Sequence, residues 1–229
     1  MSEKQDIFTM LGGRVRLYRG TYNPTSDAAW LAAYVPNGKY KTVLDVGVGT
    51  GGAILCLMAN HDVQNAAGID TSDTMLSACA KNAELNNKQI ELINADILNW
   101  RTTRTFDLVI TNPPYFRGTP AAHNAHHNTD LIKWTKRSVA RVRPRGTFCT
   151  IVDSAVASDV IATIKETCGD ITIFPLFSNK HTAERVIIRA RVGTRGPTTI
   201  CDGLNMNCNF VLRDGLTIYD TLAKLDTQC

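Results

Sequence analysis

Short β-rich segments alternate with longer helical patterns along most of this chain, and no other feature limits the possible folds as much. Five such segments precede residue 153: KTVLDVG (41–47), AAGID (66–70), QIELINAD (89–96), FDLVITN (106–112) and GTFCTIV (146–152). Helical patterns lie near 51–60, 72–86, 129–142 and 156–167. Because helices between strands act as crossover connections, the pattern predicts a mostly parallel sheet with helices on both faces. Ligands bind such sheets at the carboxyl ends of the strands.

The two ends of the chain complete the predicted architecture. DITIFPLF (170–177) and ERVIIRARV (184–192) have no long helix between them, so we expect the last strands to pair antiparallel. The result is a Rossmann-like α/β fold with a mostly parallel, seven-stranded sheet and an antiparallel C-terminal strand. Upstream, SDAAWLAAYVP (26–36) is predicted to be a helix with Ser26 or Asp27 as its N-cap, ending at Pro36.

Composition excludes several classes of protein. The start, MSEKQDIFTM, lacks the apolar segment of a signal peptide, and no run approaches the roughly 20 apolar residues of a membrane span. We therefore expect a soluble, cytoplasmic protein without membrane contact. The seven cysteines form no Cys-x-x-Cys pair, which indicates free thiols rather than a disulfide framework or a zinc site.

A glycine-rich turn follows the first strand directly. It is LDVGVGTGG, which contains Asp45, Gly47, Gly49, Gly51 and Gly52. Glycines between a strand and a helix let the backbone approach a nucleoside closely. Asp70 ends the second strand, where a carboxylate can accept hydrogen bonds from ribose hydroxyls, and Asp96 ends the third. Either acid alone could instead cap a helix or a turn, but three strands ending on acids predict three carboxylates along one crevice.

Two cofactor classes fit this arrangement. A nicotinamide dinucleotide would place its pyrophosphate at the helix N-terminus beyond Gly49. S-adenosylmethionine (SAM) carries a sulfonium cation and an amino-acid tail instead of phosphate. The carboxylate of Asp45 would repel a pyrophosphate and attract a cation, so the charge favours SAM.

The fourth strand ends in Asn112, Pro113, Pro114 and Tyr115, at the same edge of the sheet. An aromatic amine is a poor nucleophile because its lone pair is delocalised into the ring. If the Asn112 side-chain oxygen and the Pro113 carbonyl each accept one N–H, they draw the nitrogen toward tetrahedral geometry, and the rigid prolines hold both acceptors in place. Tyr115 offers a stacking face for a planar base or amide. The loop has no cysteine for attack on a pyrimidine carbon, so nitrogen is the expected methyl acceptor.

Basic residues cluster although the formal net charge is only +4. They are Lys133, Lys136, Arg137, Arg141, Arg143 and Arg145; Lys180, Arg185, Arg189, Arg191 and Arg195; and Arg14, Arg16 and Arg19. Each group could be an ordinary solvated face. If the fold brings two of them to one side, they would bind a polyanion. We take Lys133, Arg137, Arg141, Arg185 and Arg189 as candidate substrate-binding residues.

Three histidines, His123, His126 and His127, follow the catalytic loop. Their spacing is compatible with a metal site, but a polar segment at this position is more typical of a lid or a nucleotide contact. We predict no metal.

Taken together, these motifs resemble the class I SAM-dependent methyltransferases with an NPPY motif. Residues 11–36, the NPPY loop, 181–197 and 210–225 extend the resemblance to the bacterial family that methylates N6 of adenine 37 in a valine tRNA. This resemblance covers almost the whole chain. The glycine and NPPY motifs are specific for the superfamily, whereas the two ends of the chain, which indicate this branch, match more loosely. The approach to the first helix, Asn23-Pro24-Thr25, departs from a more glycine-rich family pattern, as do Val48 and Thr50 in the turn.

The resemblance implies roles for individual residues. For SAM, it assigns Asp70 to the ribose, Asp96 with Ile97 to the adenine, and Asp27 to the neighbourhood of the methionine end. The methionine part itself is assigned to Asp45, Gly47, Gly49 and Gly51. Asn112 is expected to contact the cofactor as well, and Asn112 to Tyr115 are expected to bind the target amine. We expect one domain over 1–229: an N-terminal extension and first helix (1–40), a cofactor and NPPY half (41–152) and a substrate half (153–229).

The expected activity is therefore N6-adenine methylation of structured RNA, most consistent with tRNA. NPPY serves a glutamine side-chain amide equally well, so a protein glutamine N5-methyltransferase is an alternative, as is an rRNA amino-group methyltransferase. Only about 40 residues precede the glycine turn, whereas the glutamine family usually carries a helical domain there. A noncatalytic RNA-binding subunit is disfavoured because Asn112 and the glycines are all present. A monomer is the expected state.

Overall fold

A central β-sheet dominates the computed structural model, which describes residues 6–20, 23–114, 124–178 and 181–226. The strands are β1 Ile7–Met10, β2 Val15–Tyr18, β3 Lys39–Val46, β4 Asp62–Asp70, β5 Glu91–Asn94, β6 Phe106–Thr111, β7 Val142–Asp153, β8 Cys168–Phe177, β9 Ala183–Val192, β10 Thr199–Ile200 and β11 Leu204–Asn205. The helices are α1 Ser26–Tyr34, α2 Gly52–Asn60, α3 Asp73–Leu85, α4 Asn124–Val139, α5 Ala157–Ile164, α6 Asn209–Leu212 and α7 Ile218–Asp226, with 3-10 turns at Leu11–Gly13 and Ser154–Val156.

The sheet has the predicted topology. Its order in the described chain is β10-β8-β9-β7-β6-β3-β4-β5, with β11 also beside β8. Strands β5, β4, β3, β6 and β7 pair in parallel, and β9 pairs antiparallel with both β7 and β8. The seven predicted strands are thus confirmed, and the two-residue strands β10 and β11 extend the edge. In register, Asp45 lies between Gly68 and Ile110.

Alternate residues of the central strands build two hydrophobic cores, one on each face of the sheet. Val43 belongs to the core under α1 and α2, whereas the next residue, Leu44, belongs to the core under α4 and α5. Trp30 of α1 is fully buried in the first core. A strand covered on both faces reads as a continuous apolar run, as β6 does.

Several predicted boundaries were wrong. Thr25 holds the N-cap position of α1 without a side-chain hydrogen bond, so neither Ser26 nor Asp27 caps that helix. Helix α4 ends at Val139, and β7 begins at Val142 instead of 146. Pro144 sits inside β7, where the pairing register with β6 shifts, and Arg145 adopts a φ of +62°.

Two regions carry elements that the sequence pattern did not indicate. Strands β1 and β2 form an antiparallel hairpin before α1. Helices α6 and α7 follow β11, and α6 and α7 both contact α1. No helix in the described part of the chain is long and apolar enough to cross a membrane.

Candidate active site

A cavity of about 340 Å³ opens at the carboxyl ends of the parallel strands. Its walls come from the approach to α1 and the first turn of α1, the glycine turn with the start of α2, the end of β4, the first turn of α3, the segment after β5, the end of β6 and one residue of α4. Of the predicted cofactor residues, those that line it are Asp45, Gly47, Gly49, Asp70, Ile97 and Asn112. The structure therefore brings together groups from four strand ends that are up to 67 positions apart in the chain, from 45 to 112.

The glycine turn is held against β4 by its backbone. The amides of Gly47 and Val48 both donate to the Ile69 carbonyl, at 2.9 and 3.1 Å. Gly47 has a φ of +76°, and a Cβ there would lie 3.1 Å from Cζ2 of Trp134. Gly47 thus combines a left-handed backbone conformation with close contact to an aromatic ring, and only glycine satisfies both.

Asp45 is a buried acid whose charge is poorly compensated. The residue lines the cavity but is only 2% exposed, and no described residue donates a hydrogen bond to its Oδ2. Burial raises the pKa of this carboxyl to about 7, the Ile54 backbone amide opposes the rise, and the nearby Asp70 adds to it. Because an unpaired buried oxygen is costly, the site favours a ligand that brings a cationic donor.

Asp70 is oriented by two backbone amides. Oδ2 accepts from the Gly49 amide at 2.9 Å, and Oδ1 accepts from the Ser72 amide at 3.0 Å. The carboxylate is half-buried on the cavity wall. Each oxygen keeps a second lone pair, so the pair of vicinal hydroxyls of a ribose can donate to it.

Asn112 follows a strand end that is fixed on both sides. The Thr111 hydroxyl donates to the Val46 carbonyl at 2.8 Å and accepts from Trp134 Nε1 at 3.0 Å. Asn112 itself lines the cavity, and its Oδ1 atom is buried without a hydrogen-bond donor among the described residues. Pro113 is buried and Pro114 lines the cavity. Tyr115 and His123 lie outside the described residues, as do the side chains of His126 and His127, so their predicted roles remain predictions.

The cavity fits SAM in its chemistry. Asp45 offers an acceptor for a cationic tail, Asp70 an acceptor for ribose hydroxyls, and the Ala95–Ile97 segment an apolar edge. A pyrophosphate would instead meet the unpaired carboxylate oxygen of Asp45.

Comparisons with known proteins support the same interpretation of the cavity. The family model described as "Methyltransferase small domain" matches residues 26–175, well over half of the chain. The chain belongs to this family. The match runs from the start of α1 to Pro175 in β8 and includes the predicted cofactor residues that line the cavity, Asn112 among them, whereas Pro24 and Thr25 of the wall precede it.

Relatives with assigned functions are similar over part of their length. A tRNA1(Val) (adenine(37)-N6)-methyltransferase of Escherichia coli O6:K15:H31 is 30% identical over 177 residues, 69% of this chain and 71% of the relative. The protein of that name from Glaesserella parasuis is 26% identical over 137 residues, 56% of this chain and 57% of the relative. MJ0928 of Methanocaldococcus jannaschii, provisionally named a protein N5-glutamine methyltransferase, is 31% identical over 109 residues, 48% of this chain. The chain spans only a little over half of the last two relatives.

Solved structures agree on the fold. A predicted O-methyltransferase of Agrobacterium tumefaciens, Atu636, superposes with a TM-score of 0.64 at 22% identity, covering 79% of this chain and 88% of its own. The N-methyltransferase NodS of Bradyrhizobium japonicum WM9, crystallised with S-adenosylhomocysteine, gives 0.55 at 16% identity, with coverages of 72% and 83%. The class I methyltransferase fold predicted from the sequence is confirmed.

Three of the residues expected to bind the cofactor in this small-domain methyltransferase lie outside the cavity wall. Asp96 accepts from the Leu98 amide at 2.9 Å and from Asn99 Nδ2 at 2.8 Å, so its carboxylate closes the turn while Ala95 and Ile97 line the cavity. Gly51 occupies the N-cap of α2, where a Cβ would lie 2.8 Å from Cys79 Sγ.

Asp27, the third of them, belongs to a buried ionic cluster instead. Its Oδ2 accepts from Arg185 Nε at 3.2 Å, and Arg185 also donates to Asp153 at 3.0 Å. Burial raises the pKa of Asp27, against the opposing effect of the Arg185 guanidinium. The Arg185 side chain is 21% exposed, so this candidate substrate residue ties α1 to the ends of β7 and β9.

The predicted basic groups meet, but mostly at the edge of the sheet opposite the cavity. The Arg141 carbonyl accepts from Phe106 at the start of β6, and Arg191 donates to the Arg145 carbonyl at 3.3 Å. Both contacts lie at the amino ends of the parallel strands, opposite the cavity. Arg189, in the middle of β9, packs its guanidinium over the rings of Tyr34 and Tyr219.

Exposed basic side chains remain on α4. Lys133 and Arg137 are exposed, and Lys136 pairs with Glu166 at 3.2 Å. The helix runs from the carboxyl edge of the sheet toward the amino edge, so Lys133 is nearer to the cavity than Arg137. These two keep their predicted role as candidate substrate contacts.

Trp134 and Thr50 are among the cavity residues that were not recognised from the sequence. No role in the site was predicted for Trp134, yet it lines the cavity and its ring packs beside Gly47. Thr50, treated only as a departure within the turn, also lines it. A tryptophan 22 residues after Asn112 gives no local signal of its position, because α4 must first fold back over the sheet.

Proposed function

We propose that this chain is a SAM-dependent methyltransferase that modifies N6 of an adenine in structured RNA, with tRNA adenine 37 as the leading candidate. One observation carries the proposal. Asp45 and Asn112 line the same cavity, and each has a buried side-chain oxygen without a described donor, Oδ2 and Oδ1 respectively. One suits the cationic tail of SAM and the other an amine N–H of the acceptor, so the methyl donor and the nitrogen to be methylated have their binding groups in one cavity.

The residues of the chain prepare the amine rather than deprotonate it. Asn112 Oδ1 and the Pro113 carbonyl each accept one N–H of the target, which draws the nitrogen lone pair out of conjugation. Thr111, bonded to both Val46 and Trp134, fixes the end of β6 and so the position of Asn112. Bound SAM supplies a methyl group on an electrophilic sulfonium. The amine proton can leave to solvent after transfer, so no general base is needed.

Similarity supports RNA as the acceptor. The tRNA-modifying relative from Escherichia coli matches 69% of this chain, against 48% for the glutamine-modifying one. The net charge of +4 is also suited to a polyanion. Methylation of a protein glutamine is the second candidate, because MJ0928 is 31% identical and an amide would occupy the same acceptors.

The test is to incubate the purified chain with methyl-labelled SAM and separate pools of tRNA, rRNA, DNA and protein. Digestion of the labelled pool and chromatography of its nucleosides or amino acids identify the product. We expect label in tRNA, recovered as N6-methyladenosine. Label recovered only from protein, as N5-methylglutamine, would replace the RNA assignment with the second candidate.

Three further features belong to the same proposal. The chain acts as a single domain, with 41–152 holding SAM and the amine and 153–229 contributing to the substrate side. It works as a monomer in the cytoplasm. It requires no metal, so chelation leaves the labelling unchanged.

A further inference from the structure

A second cavity, of about 450 Å³, adjoins the first. Its walls are the segment after β2, from Tyr18 to Gly20, and the first three turns of α3. Thr50 and Met75 line both cavities, so the two spaces share a boundary. The volume is within the roughly 300–1,000 Å³ of small-molecule sites. Neither the glycine motif nor the NPPY motif accounts for this second cavity.

The second cavity has a rigid frame. Asn82 of α3 is 1% exposed, and its Nδ2 donates to the Thr50 carbonyl at 2.9 Å. Its Oδ1 accepts from the Tyr18 amide, also at 2.9 Å. One amide side chain therefore joins β2, α3 and the glycine turn, and its two hydrogen bonds hold these three elements at a fixed spacing around the cavity.

The lining carries positive charge. Arg19 and Lys81 are its cations, and no Asp or Glu is among the described residues that line it. Arg19 pairs with the exposed Asp6 at 2.7 Å, whereas no ion pair in the described part of the chain involves Lys81. This charge is opposite to that of the first cavity, where Asp45 and Asp70 face the ligand.

A hydroxyl at the shared boundary also lacks a partner. Thr50 is 8% exposed, and its Oγ1 is buried without a hydrogen bond to any described residue. Ser77 and Thr74 add two exposed hydroxyls. Cations together with hydroxyl donors are the usual partners of phosphate and sugar oxygens in nucleic-acid complexes.

We propose that the second cavity binds a nucleotide of the substrate RNA that neighbours the target adenine, with its phosphate at Lys81 and Arg19. This rests on the function proposed above. These cations repel the sulfonium and ammonium groups of SAM and would attract only its carboxylate, so the SAM affinity of the variants below separates the cofactor from RNA as the occupant. An anion bound in the second cavity would lie next to the methyl-transfer cavity. A backbone phosphate beside a base that is turned out of its stack must lie at such a position. The Tyr18 ring offers a face for the neighbouring base.

Two variants of α3 test the proposal by different means. Lys81→Gln removes the charge, and Ala78→Leu partly fills the space without changing charge or helix propensity strongly. Lys39→Gln, at an exposed lysine at the start of β3, and Ala80→Leu, on the exposed face of the same helix, are the matched controls.

The readouts are the dissociation constants of a labelled tRNA and of SAM, measured by fluorescence anisotropy and calorimetry over a range of salt. We expect both α3 variants to bind RNA about three- to tenfold more weakly, and Lys81→Gln to lower the slope of log affinity against log salt by about 1. Ala78→Leu keeps the slope. Both keep the wild-type affinity for SAM, and both controls keep the wild-type affinity for RNA.

Two results would overturn the second site while leaving the proposed function intact. One is RNA binding by Lys81→Gln and Ala78→Leu that equals that of their controls. The other is a loss of SAM affinity in these variants with RNA binding unchanged, which would assign the cavity to the cofactor carboxylate. A wild-type chain that neither binds nor methylates RNA would overturn the proposed function and the second site together.

Discussion

Asp45 is the residue whose ionisation controls the cofactor site in this account. Burial raises the pKa of its carboxyl to about 7, and a cationic tail binds the ionised form. We therefore predict that SAM affinity rises with pH between about 6 and 8 and levels off above that range. Calorimetry at several pH values, in buffers of different ionisation enthalpy, should also detect a proton released on binding near pH 6.5. Asp45→Asn should bind weakly with little pH dependence, and a flat wild-type profile would contradict the assignment.

The same pKa shift has a consequence for the stability of the protein without cofactor. A carboxyl whose pKa is higher when folded than its ordinary 3.8 stabilises the fold most below that value, and the contribution is lost as the pH rises to about 7. At pH 8, Asp45→Asn should therefore melt at a higher temperature than the wild type, with a smaller difference at pH 5. Equal melting temperatures at both pH values would show that the buried charge is compensated.

At the scale of elements, the turn between β3 and α2 depends on Gly47. Its φ of +76° and the 3.1 Å approach of Trp134 mean that Gly47→Ala introduces both backbone strain and a steric conflict at the cavity wall. We predict a loss of SAM affinity and a decrease in the free energy of unfolding of more than about 1 kcal/mol. Gly13→Ala is the control, because Gly13 has a φ of +93° but no atom within 4 Å of an added Cβ. If the two variants bind SAM alike, the contact with Trp134 has no role in the site.

The strand ends were predictable because their signals are local. Apolar runs that stop at Asp45, Asp70 and Asn112 each locate one wall of the cavity by themselves. The β1–β2 hairpin was not predictable, since its strands have only four residues and pair through a turn with Leu11 at a positive φ. The strand predicted from residue 146 likewise began too late, because β7 already begins at Val142, with Pro144 inside it and an irregular register with β6.

At the scale of the whole molecule, contacts between distant elements determine which of the predicted site residues reach the cavity. Asp27 faces Arg185, 158 positions later, and no local pattern reveals that pair. Asp96, in contrast, accepts hydrogen bonds from residues two and three positions later, which agrees with the alternative that this acid caps a turn. The substrate role of the basic segments was predicted from their charge alone. Arg143 and Arg145 lie near the start of β7, and the direction of that strand puts them at the edge opposite the cavity.

The Arg185 cluster should stabilise the whole fold, because it joins α1 to β7 and β9. Arg185→Met leaves the buried Asp27 carboxyl without that guanidinium, and we predict a decrease in unfolding free energy on the order of 3 kcal/mol at pH 7. Chemical denaturation measures it. The double variant Asp27→Asn with Arg185→Met should recover part of the loss, since no buried charge remains. A single variant as stable as the wild type, but with weaker RNA binding, would return Arg185 to its predicted substrate role.

The most direct test concerns Asn112, whose buried side-chain oxygen is assigned to the target amine. In Asn112→Ala we measure the single-turnover rate of methyl transfer to RNA adenine and, separately, the SAM dissociation constant. The account predicts a rate reduced by about 100-fold or more, because a preorganised hydrogen-bond partner of the reacting group is removed, while SAM affinity stays close to that of the wild type. Undiminished transfer to adenine N6 by this variant would contradict it.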